Sequence, residues 1–241
     1  PIDQLVAGMA PGDFSDAACE EAERRGVDVE RTRRAFHEVY DYFQAARDGE
    51  EFVDGAFIAG LRVLMANPEV FLWEKVWVER NKDLDRELYG IAKWCDPNLQ
   101  FGLNVWNRNH FNPLRKAQWP WKEQTRWSDW VKPITYQHQS GQIYHKEMSD
   151  LHRNLLRDLD PAAATPLMYA LLGLDEAPWD QLIQTGMDPD TYVYGQCRDT
   201  VRGVEGRVPV YMGIGVDAPR VQEDQAVCTP DIVYRSVHAT Y

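Results

Sequence analysis

Polar and aromatic side chains cluster around the ends of three short apolar segments of this chain. The segments are Leu99 to Trp106, Trp130 to Gln139 and Val208 to Asp217. The candidate residues are Asn104, Trp106, Asn107 and His110 around the first segment, Tyr136 and His138 in the second, and Asp217 at the end of the third. Amide and imidazole groups hydrogen-bond hydroxyl groups, while aromatic rings offer flat apolar faces. The set therefore predicts a ligand site at these segment ends that suits the recognition of hydroxyl groups.

Two carboxylic acids are the predicted catalytic residues. A pair of carboxyl groups can perform hydrolysis, such as that of a glycosidic bond, in which one protonates the leaving oxygen and the other attacks carbon or activates water. Asp217 ends the third segment, and Glu147 follows the second segment near His138 and His145. Both acids also have structural alternatives. Asp217 could pair with Arg220, and the helix dipole alone favours an acid such as Glu147 near a helix N-terminus.

A metal-dependent reaction is the second hypothesis. His110, His138, His145 and Glu147 are of the types that bind zinc and manganese. The chain has neither an HxH nor an HExxH pattern, so no metal ligand is assigned. A metal-dependent sugar isomerase or hydrolase, and a carbohydrate-binding protein without catalysis, stay open beside the glycosidase. No cofactor is predicted. The lack of a Gly-rich phosphate loop argues against nucleotide binding, and the lack of a G-x-S-x-G motif argues against a serine hydrolase.

Long stretches with helical periodicity separate these segments. Apolar residues recur at one-face spacing in residues 29–46 and again in residues 68–94. Ser15 or Asp16 is expected to begin a helix that runs to Arg25, and Asp28 is expected to cap the next helix. Further helices are predicted at residues 57–66, 144–158, 166–174, 188–203 and 229–241.

Helices that alternate with apolar strands indicate a parallel α/β fold. We predict one partial α/β domain over residues 1–241, with strands near 99–106, 130–137 and 208–216. Ligands bind at the carboxyl ends of the strands in such folds. Three parallel strands cannot close a barrel, so the chain is expected to be a fragment of the complete fold.

Several phrases resemble bacterial (β/α)8-barrel proteins of the glycoside hydrolase type, which are distantly similar to barrel β-galactosidases. They are Phe71–Trp77, Leu88–Lys93, Phe101–Trp106, Trp130–His138, Val210–Asp217 and Thr229–Asp231. The resemblance implies a TIM-type barrel, with this chain as its C-terminal portion, about strands five to seven. It also implies an acid/base Glu upstream of Pro1 and a nucleophile at Asp217, although the usual nucleophile there is Glu.

Composition limits the partners that the chain can bind. Its formal net charge of -12 argues against a nucleic-acid surface, which requires a basic patch. No apolar stretch approaches the length of a membrane span. The cysteines, Cys19, Cys95, Cys197 and Cys228, lack CxxC spacing, which disfavours a zinc site and favours a reducing, cytoplasmic compartment. The oligomeric state is not predicted.

Overall fold

The computed structural model of this protein describes residues 2–12, 14–216 and 225–241. The chain forms two compact units, one of residues 1–84 with 149–161, and the other of residues 85–148 with 162–241. We call them the N-terminal unit and the sheet unit.

The N-terminal unit is helical. It contains α1 (Ile2–Val6), α2 (Asp16–Arg24), α3 (Val29–Arg47), α4 (Ala56–Ala66) and the first half of α5 (Glu69–Cys95). The predicted caps are confirmed at two helices. The Ser15 hydroxyl accepts a hydrogen bond from the Ala18 N–H, and the Asp28 carboxylate accepts one from the Arg31 N–H at 2.9 Å.

The core of the N-terminal unit is centred on α3, against which α1, α2 and α4 pack, and it also includes residues of α5. Phe36 and Phe43 on α3 are almost completely buried, as is Trp73 on α5. The Phe14 ring stacks on the Trp73 indole, with 4.6 Å between the ring centroids. Residues 149–161 complete this unit, because the Asn154 amide donates to the Val6 carbonyl at 2.7 Å. On α3, the apolar residues that recur at one-face spacing in the sequence are the ones that the structure buries.

The sheet unit has a small parallel sheet. Strand β1 (Gly102–Val105) pairs with β2 (Trp130–Pro133), and the register places Asn104 opposite Lys132. A third extended segment lies on the other side of β2, through parallel bridges from Val131 to Val210 and from Ile134 to Gly213. The first bridge includes hydrogen bonds from the Val131 N–H to Pro209 and from the Tyr211 N–H to Val131. β2 is therefore the central strand.

Short helices surround this sheet. They are α6 (Arg108–Phe111), α7 (Pro113–Gln118), α8 (Trp121–Gln124), a 3-10 turn (Thr125–Trp127), α9 (Gln137–His152), α10 (Pro161–Leu172), α11 (Leu182–Thr185), a π-helical turn (Pro189–Val193), α12 (Tyr194–Val204) and α13 (Pro230–His238). α12 packs against β2 and α8. The predicted start of the last helix is confirmed, since the Thr229 hydroxyl accepts a hydrogen bond from the Ile232 N–H at 3.3 Å.

The predicted barrel is wrong. The part of the chain that the structure describes is 63% helical with two short parallel strands in one sheet, which is not a fragment of a (β/α)8 barrel. The predicted strand at 208–216 forms only isolated bridges, and Pro209 within it has no N–H to donate to a ladder. The end of the predicted strand at 130–137 is helical instead, because α9 begins at Gln137. A short apolar run in a sequence does not by itself show how many of its residues will form hydrogen bonds with a neighbouring strand.

None of the described helices is, by itself, long and apolar enough to cross a membrane. α4 and α5 reach the required length and composition only as a pair, and the chain bends by 75° between them.

Candidate functional site

One face of the small sheet carries a row of polar and aromatic side chains. Asn104 on β1 lies opposite Lys132 on β2, and the bridge at Val131 and Val210 places Tyr211 on the other side of Lys132. Side chains alternate between the two faces of a strand, so these three lie on the same face. On the opposite face, Val105, Val131 and Pro133 are buried.

Aromatic rings flank this row. The Trp106 side chain, two residues beyond Asn104, is 64% exposed, and Tyr211 is 57% exposed. The Trp130 indole packs edge-on to the Tyr211 ring, with 5.9 Å between their centroids. We define the open sheet face as Asn104, Trp106, Trp130, Lys132 and Tyr211. It combines flat apolar surfaces with hydrogen-bonding groups.

Gly102 fixes the position of the Trp130 ring. A Cβ atom at Gly102 would lie 2.0 Å from the indole carbon Cδ2, so the ring occupies the space that a side chain would need. We expect Gly102→Ala to displace Trp130 and to lower the free energy of unfolding by about 1–3 kcal/mol, the usual cost of overpacking. Urea unfolding, with the near-UV circular dichroism of the indole as readout, checks this. An unchanged indole signal would contradict the placement.

A buried hydrogen-bond chain lies in the same unit. The Asn107 amide donates to the Ser140 hydroxyl at 3.0 Å, and that hydroxyl donates to the Tyr192 hydroxyl at 3.3 Å. The Tyr192 hydroxyl lies 3.1 Å from His110 Nδ1 and donates to it in this assignment. All four side chains are buried. Asn107 and His110, which were predicted as ligand contacts, are thus brought together inside the unit.

Burial sets the protonation states in this chain of hydrogen bonds. Desolvation, with a smaller effect from the charge of Lys116, lowers the pKa of His110 to about 3, so the imidazole is neutral at pH 7. Desolvation also raises the pKa of Tyr192. The His110 Nε2 atom and the Asn107 Oδ1 atom have no hydrogen-bond partner among the described residues. The network is uncharged, and it holds the segment after β1 against α9.

The other predicted site residues are dispersed. His138 is buried on α9, and a Cβ atom at Gly215 would lie 2.5 Å from its ring. Tyr136 is half-buried directly before α9. The Glu147 carboxylate lies 3.5 Å from the Arg108 guanidinium, so it is part of an ion pair. Asp217 lies outside the described residues. Its assignment to the end of barrel strand seven has no support, because that assignment depended on the barrel, which does not form.

The described part of the chain contains no group of three or more His, Cys, Asp or Glu residues that could hold a metal ion. The metal-dependent alternative therefore receives no support from the described side chains.

Sequence reasoning missed Lys132, Tyr211 and Glu176. Lys132 and Tyr211 became candidates only through the sheet register, since no local motif marks them. Glu176 accepts hydrogen bonds from the Asp188 N–H at 2.7 Å and from the Thr191 hydroxyl at 2.6 Å. Desolvation nevertheless raises the pKa of Glu176 to about 7. Glu176 precedes the π-helical turn, and no pattern in the sequence indicates that this carboxyl group is desolvated.

Comparison of this chain with family models, with curated proteins and with solved structures found no match. The resemblance to barrel glycoside hydrolases stays a prediction of the sequence, and the candidate site depends on its own geometry.

Proposed function

We propose that the sheet unit binds carbohydrate on the open sheet face. The observation that carries this proposal is the exposure of Tyr211, in one row with Asn104 and Lys132 across three parallel segments, and of Trp106 directly beyond the end of β1. Exposed aromatic rings present flat apolar surface at a low cost in side-chain entropy, and they pack against the C–H faces of sugar rings. The Asn104 amide and the Lys132 ammonium group, which lie opposite each other on the paired strands, can hydrogen-bond sugar hydroxyls.

The sheet keeps these groups in place without a ligand. Asn104 and Lys132 lie on paired strands, and the Trp130 ring is seated on Gly102. A site on strands loses less conformational freedom on binding than a site on loops, so more of the contact energy appears as affinity. The alternative of a carbohydrate-binding protein without catalysis is the part of the sequence prediction that this geometry supports.

Replacing Trp106 tests the proposal. We expect Trp106→Ala to weaken oligosaccharide binding at least tenfold, because the loss of one stacking ring costs about 1.4 kcal/mol. Isothermal titration with galacto-, gluco-, manno- and galacturono-oligosaccharides measures the affinities. Trp94→Ala is the matched control, since Trp94 is 86% exposed on α5 and lies outside the open sheet face. Equal affinities of the two variants for every binding oligosaccharide would refute the proposal.

Hydrolysis is tested separately with the same sugars as aryl glycosides. Release of the aryl group that Asp217→Asn or Glu147→Gln abolishes would add catalysis to binding. Binding with no release would restrict the sheet unit to recognition.

A further inference from the structure

Lys132 occupies an unusual position for a lysine. It lies on β2, between β1 on one side and the segment at Val210 to Gly213 on the other. Lysine is depleted in strands, and where it occurs it commonly protects an exposed edge against pairing with another chain. A central strand has no free edge to protect. The position of Lys132 therefore requires another explanation.

Lys132 also has no acidic partner among the described residues, in a chain with 38 acidic and 26 basic residues. Two other lysines of this unit pair with acids, and Lys116 donates to the Leu172 carbonyl at 2.9 Å. Lys93 contacts Asp129 at 2.7 Å, and Lys122 contacts Glu205 at 3.0 Å. Lys132 is half-buried as a residue, and an ammonium group on such a surface forms strong, charge-assisted hydrogen bonds with an anion. Lys132 is thus a cation on the open sheet face that suits an anionic ligand.

We propose that the open sheet face selects an acidic sugar, whose carboxylate binds the Lys132 ammonium group. This inference rests on the proposed carbohydrate binding and names the substrate class, a glycan that contains uronic acid. A uronate carries its carboxylate on a sugar ring, so one residue of the glycan can contact Lys132 and an aromatic ring together.

The neighbours of Lys132 fit such a ligand. The lysine stem lies over the third segment, because a Cβ atom at Gly213 would be 3.0 Å from Lys132 Cε. Asn104 and Tyr211 lie on either side, and neighbouring strands are about 4.8 Å apart, so the row spans about 10 Å. The Asn104 amide and the Tyr211 hydroxyl are then placed to contact ring hydroxyls on both sides of the carboxylate.

Two ligands with the same sugar rings, one charged and one uncharged, test the inference. Oligogalacturonate and its methyl ester have the same rings, but the ester has no negative charge. We expect wild-type protein to bind the acid at least tenfold more tightly than the ester, as charge-assisted hydrogen bonds require. Affinity for the acid should fall as NaCl is raised from about 20 mM to about 300 mM, because salt screens the attraction between the carboxylate and the ammonium group. Affinity for the uncharged ester should stay constant.

Variants of Lys132 test whether its ammonium group causes the preference for the acid. Lys132→Met keeps the apolar stem, and we expect it to remove the preference for the acid while it still binds the ester. Lys132→Arg retains the charge and should keep the preference. Lys75→Met, at an exposed position of α5, is the control for the change in net charge.

The outcomes separate this inference from the proposed function. If neither oligosaccharide binds and the other sugars of the panel also fail to bind, the carbohydrate proposal itself fails. If a sugar binds but Lys132→Met leaves the ratio of the two affinities unchanged, carbohydrate binding stands and the selection for an acidic sugar is wrong. Tighter binding of a sulfated oligosaccharide than of oligogalacturonate would also overturn the choice of a carboxylate.

Discussion

Gly141→Ala is expected to lower the free energy of unfolding by about 3 kcal/mol or more, the upper range for overpacking in a well-packed interior. Gly141 lies within α9, where the backbone of the α11 region approaches it directly. An added Cβ atom would lie 2.2 Å from the Leu182 carbonyl oxygen and 2.9 Å from Gly186 Cα. These are backbone atoms, so no side-chain rotation relieves the clash.

Hydrogen bonds on both sides of this contact prevent the backbones from moving apart freely. The Met187 N–H donates to the Gln137 carbonyl at 2.8 Å, and the Gly186 N–H donates to the Leu182 carbonyl at 2.9 Å. Gly186 has a φ of 68°, which favours glycine. A shift large enough for the new methyl group would break at least one of these bonds.

Gly90→Ala is the matched control for Gly141→Ala. Gly90 also lies within a helix, α5, but a Cβ atom added there would meet no atom within 4 Å among the described residues outside its own helix turn. We expect this variant to gain about 0.5–1 kcal/mol, since alanine is the better helix former. Urea unfolding of both variants, followed by circular dichroism, gives the two changes. Equal changes in the same direction would show that α9 and the α11 region are not in close contact.

Acidification from pH 8 to pH 5 is expected to cost the protein about 2 kcal/mol through His110 alone. The pKa of His110 in the folded protein is about 3, against an ordinary value of 6.5. Above pH 6.5 the imidazole is neutral in both states, and the full stability is present. Below pH 6.5 the unfolded chain binds a proton that the buried imidazole cannot accept. Stability is then lost progressively down to about pH 3.

His110→Gln isolates this effect from the titration of other groups. Glutamine keeps a polar side chain but does not titrate, so it removes the contribution of the imidazole to the pH dependence. We expect the variant to be less stable than wild type at pH 8, and the difference to shrink by about 1.4 kcal/mol per pH unit below pH 6.5. Urea unfolding at half-unit pH steps measures both curves.

The exposed His37→Gln substitution is the control for the loss of an imidazole. Parallel curves for wild type and His110→Gln between pH 5 and pH 6.5 would mean that His110 is not held neutral in the folded protein. The burial of the Asn107, His110, Ser140 and Tyr192 network would then need revision.

Features that depend on near neighbours along the chain could be predicted from the sequence alone. Ser15, Asp28 and Thr229 cap helices as predicted, because a cap needs only a side-chain oxygen and an N–H three residues later. The helices at 29–46 and 68–94 also form close to their predicted limits, since their apolar spacing is local.

Features that depend on pairings between distant residues are set by tertiary contacts. Strand register placed Lys132 between Asn104 and Tyr211, and no local pattern contains that information. Packing buried His110 beside Tyr192, 82 positions along the chain, so a predicted ligand contact became part of an internal network. The barrel prediction failed for the same reason. Apolar runs show that a segment can be buried, but only its partners decide whether it forms a strand, how long the strand is and which side chains meet.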